Sequence, residues 1–400
     1  MERKAVLFIS PQPFFQWRGS PIRVKFNLLA LSAAGYEVHL LTLPVGEDIP
    51  LGKVRVHRVA NPFGVRQVPI GPNAWKLFFD VLLFLRGYRL CRAHRFTVIH
   101  GIEEAGLIAA VLGKWFKAGA IFEKHSDPFS YKGGWLKNLL LRIYARVEKV
   151  AARRADAVIG TGPGLVEQVT AMNTGTPAFN IPDIPSSLED ASDENRETIR
   201  GKWGTGPEDV LILYVGSFAV YQGVDLLFAI IPEVLRHSAR ARFAIIGGSA
   251  KEIAARRRML EAQGAADRVV FAGTIDPDRL PDYLAASDIL LSTRISGINT
   301  PLKVLDYLKA GRAIAATDVP ANRLLLNEET AVFAPPESTA FAQRVTALAK
   351  DGEQRQRLGR AARKEYEAHY TLEHHKARLM ACYEQVCGAR NGAAHRRTNS

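Results

Sequence analysis

The feature that most constrains the fold is a repeated alternation of short apolar runs with amphipathic stretches. The apolar runs of the first half are AVLFIS, YEVHLLTL, FTVIHGIEE, AIFEKH and ADAVIG, with helix-like stretches such as VKFNLLALSAAG between them. The second half contains VLILYVG, ARFAIIGG, RVVFAG, DILLST and RAIAATD. This alternation predicts parallel sheets with helices on both faces. The sequence therefore indicates an α/β fold with two Rossmann-like domains in series.

Chain length and a Pro-rich interval give the domain bounds. Four hundred residues exceed what one core usually serves, and the polar stretch from Asn180 to Asn195 separates the two series of apolar runs. We predict a first domain over 1–182, a linker over 183–208 and a second domain over 209–371. A last helix, over about 372–387, is expected to pack back on the first domain. Residues 388–400 lack periodicity and predict a disordered tail.

Charge and cysteine content limit the partners and the compartment. The formal charge of +13 favours anionic partners. Cys91, Cys382 and Cys387 form neither a disulfide set nor a metal-ligand pattern, which is typical of a reducing cytoplasm and predicts no metal site. The basic residues are spread along helices without a nucleic-acid-reading motif, so no nucleic-acid partner is expected. The apolar run at the N-terminus is too short for a signal peptide.

Two basic, aromatic-rich segments raise the question of a membrane surface. Residues 73–95 and 132–154 mix aromatic and aliphatic side chains with many Lys and Arg. Amphipathic helices of that composition lie on anionic membranes, although ordinary core-facing helices with a basic solvent face have the same composition. We expect a cytoplasmic protein, peripheral on the inner face of the cell membrane if the first alternative holds.

Two glycine-containing loops follow strands of the first half. In VIGTGPGLVEQV the third glycine comes one residue too early for a dinucleotide fingerprint and Pro163 occupies the turn, so an ordinary strand-to-helix turn is favoured over nicotinamide binding. The other loop contains Arg18, Gly19 and Ser20 and follows the first strand, where doubly wound proteins bind phosphates. A plain turn explains this second loop equally well.

The stretch GINTPLKVLDYLKAG predicts a helix with an anion-attracting start. Thr300 is a good N-cap, Pro301 suits the first helical position and Gly311 ends the helix. The free amides and the charge of Lys303 favour an anion there. Asp306 lies one turn further on the same side. A well-capped surface helix with a Lys303–Asp306 ion pair is the alternative that these residues leave open.

Taken in order, several segments of the second half resemble a known family. GSFAVYQGVDLL, FAIIGG, RVVFAGTID, LPDYLAASDILLST and PLKVLDYLKAG are similar to the nucleotide-binding half of glycosyltransferase family 4, the retaining GT-B sugar transferases. The resemblance covers nearly the whole chain, in a variant form with a GINTPLK-type motif. It implies two Rossmann-like domains facing across a cleft. It also implies transfer of a sugar from a nucleotide diphosphate sugar, the co-substrate, to a lipid-linked or polysaccharide acceptor, without metal or other cofactor.

The resemblance also implies a donor site in the second domain. The loop from Gly216 to Gly223 should meet the diphosphate, but Ser217 and Gln222 stand where many members have Arg and Lys. No acid lies near 296–298, where the family has its first motif glutamate. Asp306 takes the place of the second motif glutamate, which usually holds the ribose hydroxyls. The expected donor-binding residues are Gly19, Ser20, Gly216, Ser217, Gln222, Arg294, Gly297, Asn299, Thr300, Lys303 and Asp306.

Candidate residues for the reaction and the acceptor lie in the first domain. His125, at the end of the AIFEKH run, corresponds to a family histidine near the sugar, and we expect it to donate a hydrogen bond where sugar and leaving phosphate reorganise; a structural histidine is the alternative. Glu103 and Glu104 follow VIHGI, and with Arg18 they are candidates for binding acceptor or sugar. Acids in the first turn of a helix are also favourable without any ligand.

Two further functions remain open from the sequence. A nucleotide-sugar epimerase or hydrolase would use the same fold and donor site. A non-catalytic scaffold that binds nucleotide sugar would explain the missing first acid.

Overall fold

The computed structural model describes residues 4–16, 19–68, 74–126, 135–297 and 300–398. The chain divides into two compact units, one formed by Met1–Asp183 with Leu372–Ser400 and the other by Ile184–Thr371. The first unit is therefore assembled from two separate stretches of the sequence. Of the candidate residues, Arg18 and Asn299 lie outside the described residues.

The first unit contains a seven-stranded sheet. Its strands are β1 (Ala5–Ser10), β2 (Glu37–Thr42), β3 (Arg55–Arg58), β4 (Val98–Ile102), β5 (Gly119–Lys124), β6 (Ala157–Gly160) and β7 (Ala178–Asn180). They pair in parallel in the order β3-β2-β1-β4-β5-β6-β7. The helices are α1 (Gly19–Ala33), α2 (Ala74–Ala93), α3 (Ala105–Phe116), α4 (Trp135–Arg154), α5 (Pro163–Ala171) and, at the end of the chain, α14 (Leu372–Thr398).

The second unit contains a six-stranded parallel sheet. Its strands are β8 (Val210–Val215), β9 (Ala241–Ile246), β10 (Val269–Gly273), β11 (Ile289–Ser292), β12 (Ala313–Thr317) and β13 (Ala331–Ala334), in the order β10-β9-β8-β11-β12-β13. Its helices are α6 (Asp193–Lys202), α7 (Val224–His237), α8 (Ala250–Glu261), α9 (Leu280–Ala286), α10 (Leu302–Ala310), α11 (Pro320–Arg323), α12 (Ser338–Lys350) and α13 (Gly352–His369).

Burial explains why the central strands are continuous apolar runs. Helices cover both faces of a parallel sheet, so neither face of a central strand alternates with polar residues. All of β1, from Ala5 to Ser10, is buried. Each sheet reverses its strand order once, between β1 and β4 in the first unit and between β8 and β11 in the second. Ligands of doubly wound folds bind outside the carboxyl ends of the strands at such a switch point.

The segment expected to be a linker contains ordered structure. Residues 184–208 belong to the second unit and include α6, which packs against α9. Ser192 caps α6, since its hydroxyl accepts a hydrogen bond from the Asn195 amide. Asp282, from α9, accepts hydrogen bonds from the Ser192 amide and the Asn195 side chain.

The last helix is longer than the sequence predicts. α14 runs from Leu372 to Thr398, whereas the loss of periodicity predicts an irregular tail from residue 388. The residues after Gly388 include several Ala and Arg, which are strong helix formers, so propensity continues the helix where the apolar pattern stops. Residues 399–400 lie outside the described part. Tyr383 and Val386, earlier in this helix, are buried in the first unit.

Helix α10 begins one residue later than its sequence predicts. Pro301, with φ −80° and ψ 101°, is the N-cap, and the first helical residue is Leu302. Thr300 is therefore outside the cap position, and no side chain caps this helix. Helix α10 starts after Pro301 because the ψ angle of this residue is extended and not helical. The end is as expected, because Gly311 adopts a left-handed conformation, φ 63°, and its amide donates to the Leu308 carbonyl.

The described residues include neither a membrane-spanning helix nor a cluster of metal-binding side chains. No helix in that part of the chain is both long and apolar enough to cross a bilayer. The same residues contain no group of three or more His, Cys, Asp or Glu side chains able to hold a metal ion.

Candidate active site

A cationic site lies at the switch point of the second unit. Gly216 directly follows β8, and Arg294 lies two residues after β11. Gly216 has φ +153°, and a Cβ atom there would lie only 3.2 Å from Lys303 Nζ. Lys303, in the first turn of α10, therefore approaches the backbone directly after β8. The structure thus brings Lys303 close to Gly216, and the role of these residues and Arg294 toward a donor stays a prediction.

No carboxylate in the described part of the chain offsets the charge of Lys303. Its Nζ atom is shielded from solvent and has no hydrogen-bond partner among the described residues. The atom lies 4.4 Å from the centre of the Tyr214 ring, a cation–π contact that stabilises the charge only in part. Burial, with the nearby charge of Arg294, lowers the pKa of Lys303 from 10.5 to about 7. The Lys303–Asp306 ion pair, the alternative left open by the sequence, does not form.

Arg294 supplies a second buried cation near Lys303. It is 7% exposed, its guanidinium lies over the Tyr221 ring at 5.5 Å, and its Nε donates to the Ser296 carbonyl at 2.8 Å. Gly297 has φ +102°, a conformation that residues with a side chain rarely adopt, and a Cβ atom there would displace the guanidinium of Arg294, which lies 2.3 Å away. Neither cation forms a salt bridge within the described residues. Two uncompensated cations at one place favour an anionic ligand.

The loop from Gly216 to Gly223 is attached to the end of β11. Thr293 Oγ1 donates to the Gln222 carbonyl at 2.8 Å, and a Cβ atom at Gly223 would lie 1.8 Å from the Thr293 carbonyl oxygen. The buried Gln222 Oε1 atom has no hydrogen-bond partner in the described part of the chain. Ser217 is exposed, and its carbonyl accepts from Tyr214. This attachment fixes the loop without help from a ligand.

Asp306 is held by Ser186, which was not predicted from the sequence. Its Oδ1 accepts from the Ser186 amide at 2.7 Å and from the Ser186 hydroxyl at 2.9 Å, and Oδ2 lies 3.0 Å from the same hydroxyl. Burial raises the pKa of Asp306 to about 7, against the opposing effect of these hydrogen bonds. No apolar pattern identifies Ser186, which lies in the Pro-rich segment.

A buried polar cluster surrounds Glu123, on β5 of the first unit. Glu123 Oε1 accepts from Arg23 Nε, from Asn27 Nδ2 and, at 2.9 Å, from His125 Nε2. Oε2 accepts from Asn27 Nδ2 at 2.9 Å and lies 2.7 Å from His100 Nε2. Burial opposes ionisation, but the charge of Arg23 and the hydrogen bonds hold the pKa of Glu123 well below its usual range. His125, the candidate catalytic residue, is therefore anchored to a buried carboxylate.

Helix α14 and residue 183 contribute to the same cluster. His375 Nε2 lies 2.7 Å from Asn27 Oδ1, and Tyr383 Oη lies 2.8 Å from His100 Nδ1. Asp183, the last residue of the first stretch of this unit, accepts from Arg23 at 3.0 Å. Burial lowers the pKa of His375 to about 3. These partners were not predicted from the sequence, where the one available signal was an acid inside the apolar run AIFEKH.

Glu103 lies beside His125, and Tyr144 links Glu103 to Glu104. Glu103 Oε1 accepts from the His125 amide at 3.1 Å and from the Ser126 hydroxyl at 2.9 Å. The Tyr144 hydroxyl donates to both glutamates, 3.3 Å from Glu103 Oε2 and 3.0 Å from Glu104 Oε2. Glu103 has φ +49°, unusual for a residue with a side chain. The Glu103 carboxylate supports the backbone at His125, whereas Glu104 pairs with Lys76 at 2.7 Å. The role of both glutamates toward an acceptor stays a prediction.

The remaining candidates do not join either cluster. Gly19 and Ser20 form the first turn of α1, after β1. Thr300 precedes the N-cap of α10.

Each of the two units contains a segment that matches a known family. Residues 24–179 match the family described as "Glycosyl transferase 4-like domain" and residues 209–351 match "Glycosyl transferases group 1". The chain belongs to the GT-B glycosyltransferase superfamily, with one domain of each description.

Individual relatives are distant. The chain is 25% identical over 271 residues to alpha-D-kanosaminyltransferase of Streptomyces kanamyceticus, and the match spans 66% of each chain. It is 23% identical over 378 residues to a sulfoquinovosyl transferase of Arabidopsis thaliana, covering 91% of this chain and 70% of that one.

Solved structures share the fold. A sucrose-phosphate synthase from Thermosynechococcus elongatus superposes with a TM-score of 0.75 at 22% identity, covering 97% of this chain and all of that one. Anabaena HepE in complex with UDP gives a TM-score of 0.72 at 13% identity, covering 94% and 98%. At these identities the likeness shows the GT-B fold alone.

Proposed function

We propose that the protein is a retaining glycosyltransferase. It moves a sugar from a nucleotide diphosphate sugar to a lipid-linked or polysaccharide acceptor in envelope glycan synthesis. The observation that carries the proposal is the uncompensated pair Lys303 and Arg294 at the switch point of the second unit. A diphosphate would supply the missing counter-charge. The UDP complex of HepE supports this class of donor, and the names of the relatives, a kanosaminyltransferase and a sulfoquinovosyl transferase, support sugar transfer.

In this proposal the second unit stabilises the leaving group. The bond from the anomeric carbon to the phosphate oxygen breaks, and a bond from that carbon to the acceptor oxygen forms on the same face. The acceptor proton passes to an oxygen of the departing phosphate. Lys303 and Arg294 are placed to stabilise the negative charge that develops on the diphosphate, so the proposal requires no bound metal.

A panel of nucleoside diphosphates and nucleotide sugars tests the donor class. A ligand that binds only the folded state raises the melting temperature by mass action, so at least one member of the panel should stabilise the protein. The bound donor is then incubated with and without acceptors, and the products are identified. Sugar altered or released without acceptor would indicate an epimerase or hydrolase. Donor binding without turnover would indicate a scaffold, and no stabilisation by any member contradicts the proposal.

Affinity for the donor should depend on pH through Lys303. Its pKa is about 7 in the free protein, and a diphosphate binds best to the protonated form. Proton uptake is then linked to binding, so the Kd for a nucleotide sugar should rise by up to about tenfold per pH unit above pH 7. Titration calorimetry between pH 6 and pH 9 measures this. The loss of affinity above pH 7 should disappear in Lys303→Met, in which ionisation of Asp306 is the remaining source of pH dependence. An unchanged slope in that variant contradicts the assignment.

Asp306 is proposed to hold the ribose of the donor. Asp306→Asn should weaken binding of a ribonucleotide donor more than binding of its 2′-deoxy analogue, which already lacks one partner hydroxyl. Ser186→Ala is the control, because it removes the hydroxyl that contacts the carboxylate and leaves the charge in place. If Asp306→Asn weakens binding of both nucleotides equally, Asp306 does not hold the ribose and serves only as the hydrogen-bond partner of Ser186.

We further propose that helix α2 places the enzyme on an anionic membrane, where a lipid-linked acceptor resides. Its exposed apolar residues, Leu77, Val81, Leu85 and Tyr88, are spaced along one side of the helix. The exposed Trp115 of α3 packs against Tyr88. Arg86, Arg89 and Arg92 are exposed on α2. The acid of this helix, Asp80, is half-buried, and burial with the charge of Glu104 raises its pKa to about 8.

Binding to vesicles should be sensitive to both charge and apolar contact. Sedimentation with anionic vesicles should decrease as salt rises, because exposed charge attraction is screened. Leu85→Glu should weaken it further, whereas Leu324→Glu, at a similarly exposed leucine of the second unit, should not. Binding that salt does not change, or no binding at low salt, would indicate an ordinary solvent face.

A further inference from the structure

The Glu123 carboxylate determines which ring nitrogen of His125 carries a proton. An ionised carboxylate can only accept hydrogen bonds, and Glu123 is held ionised by Arg23. His125 Nε2, 2.9 Å from Glu123 Oε1, must therefore be the donor. In the neutral imidazole this leaves the lone pair on Nδ1, and no described residue makes a hydrogen bond to that atom.

The side chains around the Glu123 carboxylate each have only one orientation that satisfies their hydrogen bonds. Asn27 directs its Nδ2 toward Glu123, so its Oδ1 faces His375, whose Nε2 lies 2.7 Å away. Arg23 is in turn bonded to Asp183. The side chains of Asn27 and Glu123 are fully buried and His375 is 1% exposed, so water does not compete for these contacts. The charge on Glu123 thus determines which groups of the cluster donate hydrogen bonds and which accept them.

We propose that Glu123 is a positioning residue for the reaction, which holds neutral His125 as the Nε2–H tautomer and presents Nδ1 to the substrate as a hydrogen-bond acceptor. This inference rests on the proposed glycosyl transfer for its kinetic consequence, but not for the tautomer. It modifies the sequence prediction that His125 donates to the substrate: in the neutral form, the nitrogen available to a sugar or acceptor hydroxyl accepts a hydrogen bond.

Nitrogen-15 NMR of histidine-labelled full-length protein tests the tautomer directly. The His125 ring signals are assigned by their loss in His125→Gln and are followed under alkaline conditions. We expect the shifts of an Nε2–H imidazole. An Nδ1–H imidazole, or an averaged pair of tautomers, overturns the proposal whether or not the protein transfers sugar.

Two matched variants test the consequence for turnover. Glu123→Gln should lower kcat by about tenfold to a hundredfold, as losing a residue that orients a functional imidazole does, with the donor KM changed by less than about twofold. It should also give the averaged tautomers. Glu148→Gln is the control, because Glu148 is the buried partner of Lys124 and makes no hydrogen bond to the described His125 ring. Equal loss of kcat in both variants would mean that Glu123 acts only through stability, and overturns the positioning role.

Discussion

Replacing Lys303 with methionine is expected to remove most donor affinity and to make the protein more stable. A charge-assisted hydrogen bond to phosphate contributes about 1 to 3 kcal/mol, so the Kd should rise by roughly 5- to 150-fold. In the free protein the same ammonium is buried without a hydrogen-bond partner among the described residues. Removing it therefore relieves a desolvation cost of about 1 to 3 kcal/mol.

The free energy of unfolding that Lys303→Met gains should depend on pH. This dependence distinguishes relief of the desolvation cost from better packing of the methionine. Lys303 has a pKa of about 7 when folded and 10.5 as its ordinary value. Below pH 7 both states are protonated and the full cost is present; between pH 7 and 10.5 the folded state loses its proton first and the cost fades. The gain of Lys303→Met, measured by urea unfolding, should therefore be larger at pH 6 than at pH 10.

The exposed Lys364, on α13, provides the control for both measurements. Lys364→Met should change neither donor affinity nor stability by more than a few tenths of a kcal/mol. A folded Lys303→Met variant with normal nucleotide-sugar affinity would remove Lys303 from the donor site. A variant with weakened binding and lowered stability would mean that the ammonium has a partner in the free protein.

Replacing His125 with alanine should reduce turnover much more than nucleotide binding. The residue lies in the first unit, whereas Lys303 and Arg294 lie in the second, so the nucleoside diphosphate keeps its contacts. Loss of one positioned hydrogen-bonding group in a reaction centre typically lowers kcat by a factor on the order of a hundred or more. Steady-state kinetics and the Kd for the nucleoside diphosphate measure the two effects separately.

A second histidine controls for loss of the imidazole as such. His57 lies on β3, at the edge of the same sheet, and contacts His39. His57→Ala should leave kcat near normal. If His125→Ala keeps a near-normal kcat, or mainly lowers the melting temperature, His125 is a structural partner of Glu123 and its assignment from the family resemblance is wrong.

The sequence predicts most of this fold because burial on both faces gives parallel strands a visible signature. β1, β4, β8 and β11 coincide with apolar runs. The edge strand β3 has the sequence RVHR and shows no such run, since an edge is partly exposed. Helix α6 was missed for a related reason: only Ile199 of its residues is buried.

Hydrogen-bond partners that are distant in the sequence could not be predicted for the candidate sites from local sequence patterns. Lys303 could be proposed as a candidate from the sequence because a helix start is a feature of neighbouring residues. The partner of Asp306 lies 120 residues away, that of Glu123 100 residues away, and Tyr383 lies 283 residues from His100. Such pairs are determined by the folded topology, and no periodicity in the sequence records them.

The composition of the first unit from two stretches of sequence determines the order in which the protein can fold during synthesis. Domains generally fold from the N-terminus as they leave the ribosome. Here the second unit, Ile184–Thr371, is complete before α14 is synthesised. Until then His100 lacks Tyr383 and Asn27 lacks His375. The half of the enzyme translated first is thus completed last, and the nascent chain carries an unfinished core through the synthesis of about 190 intervening residues.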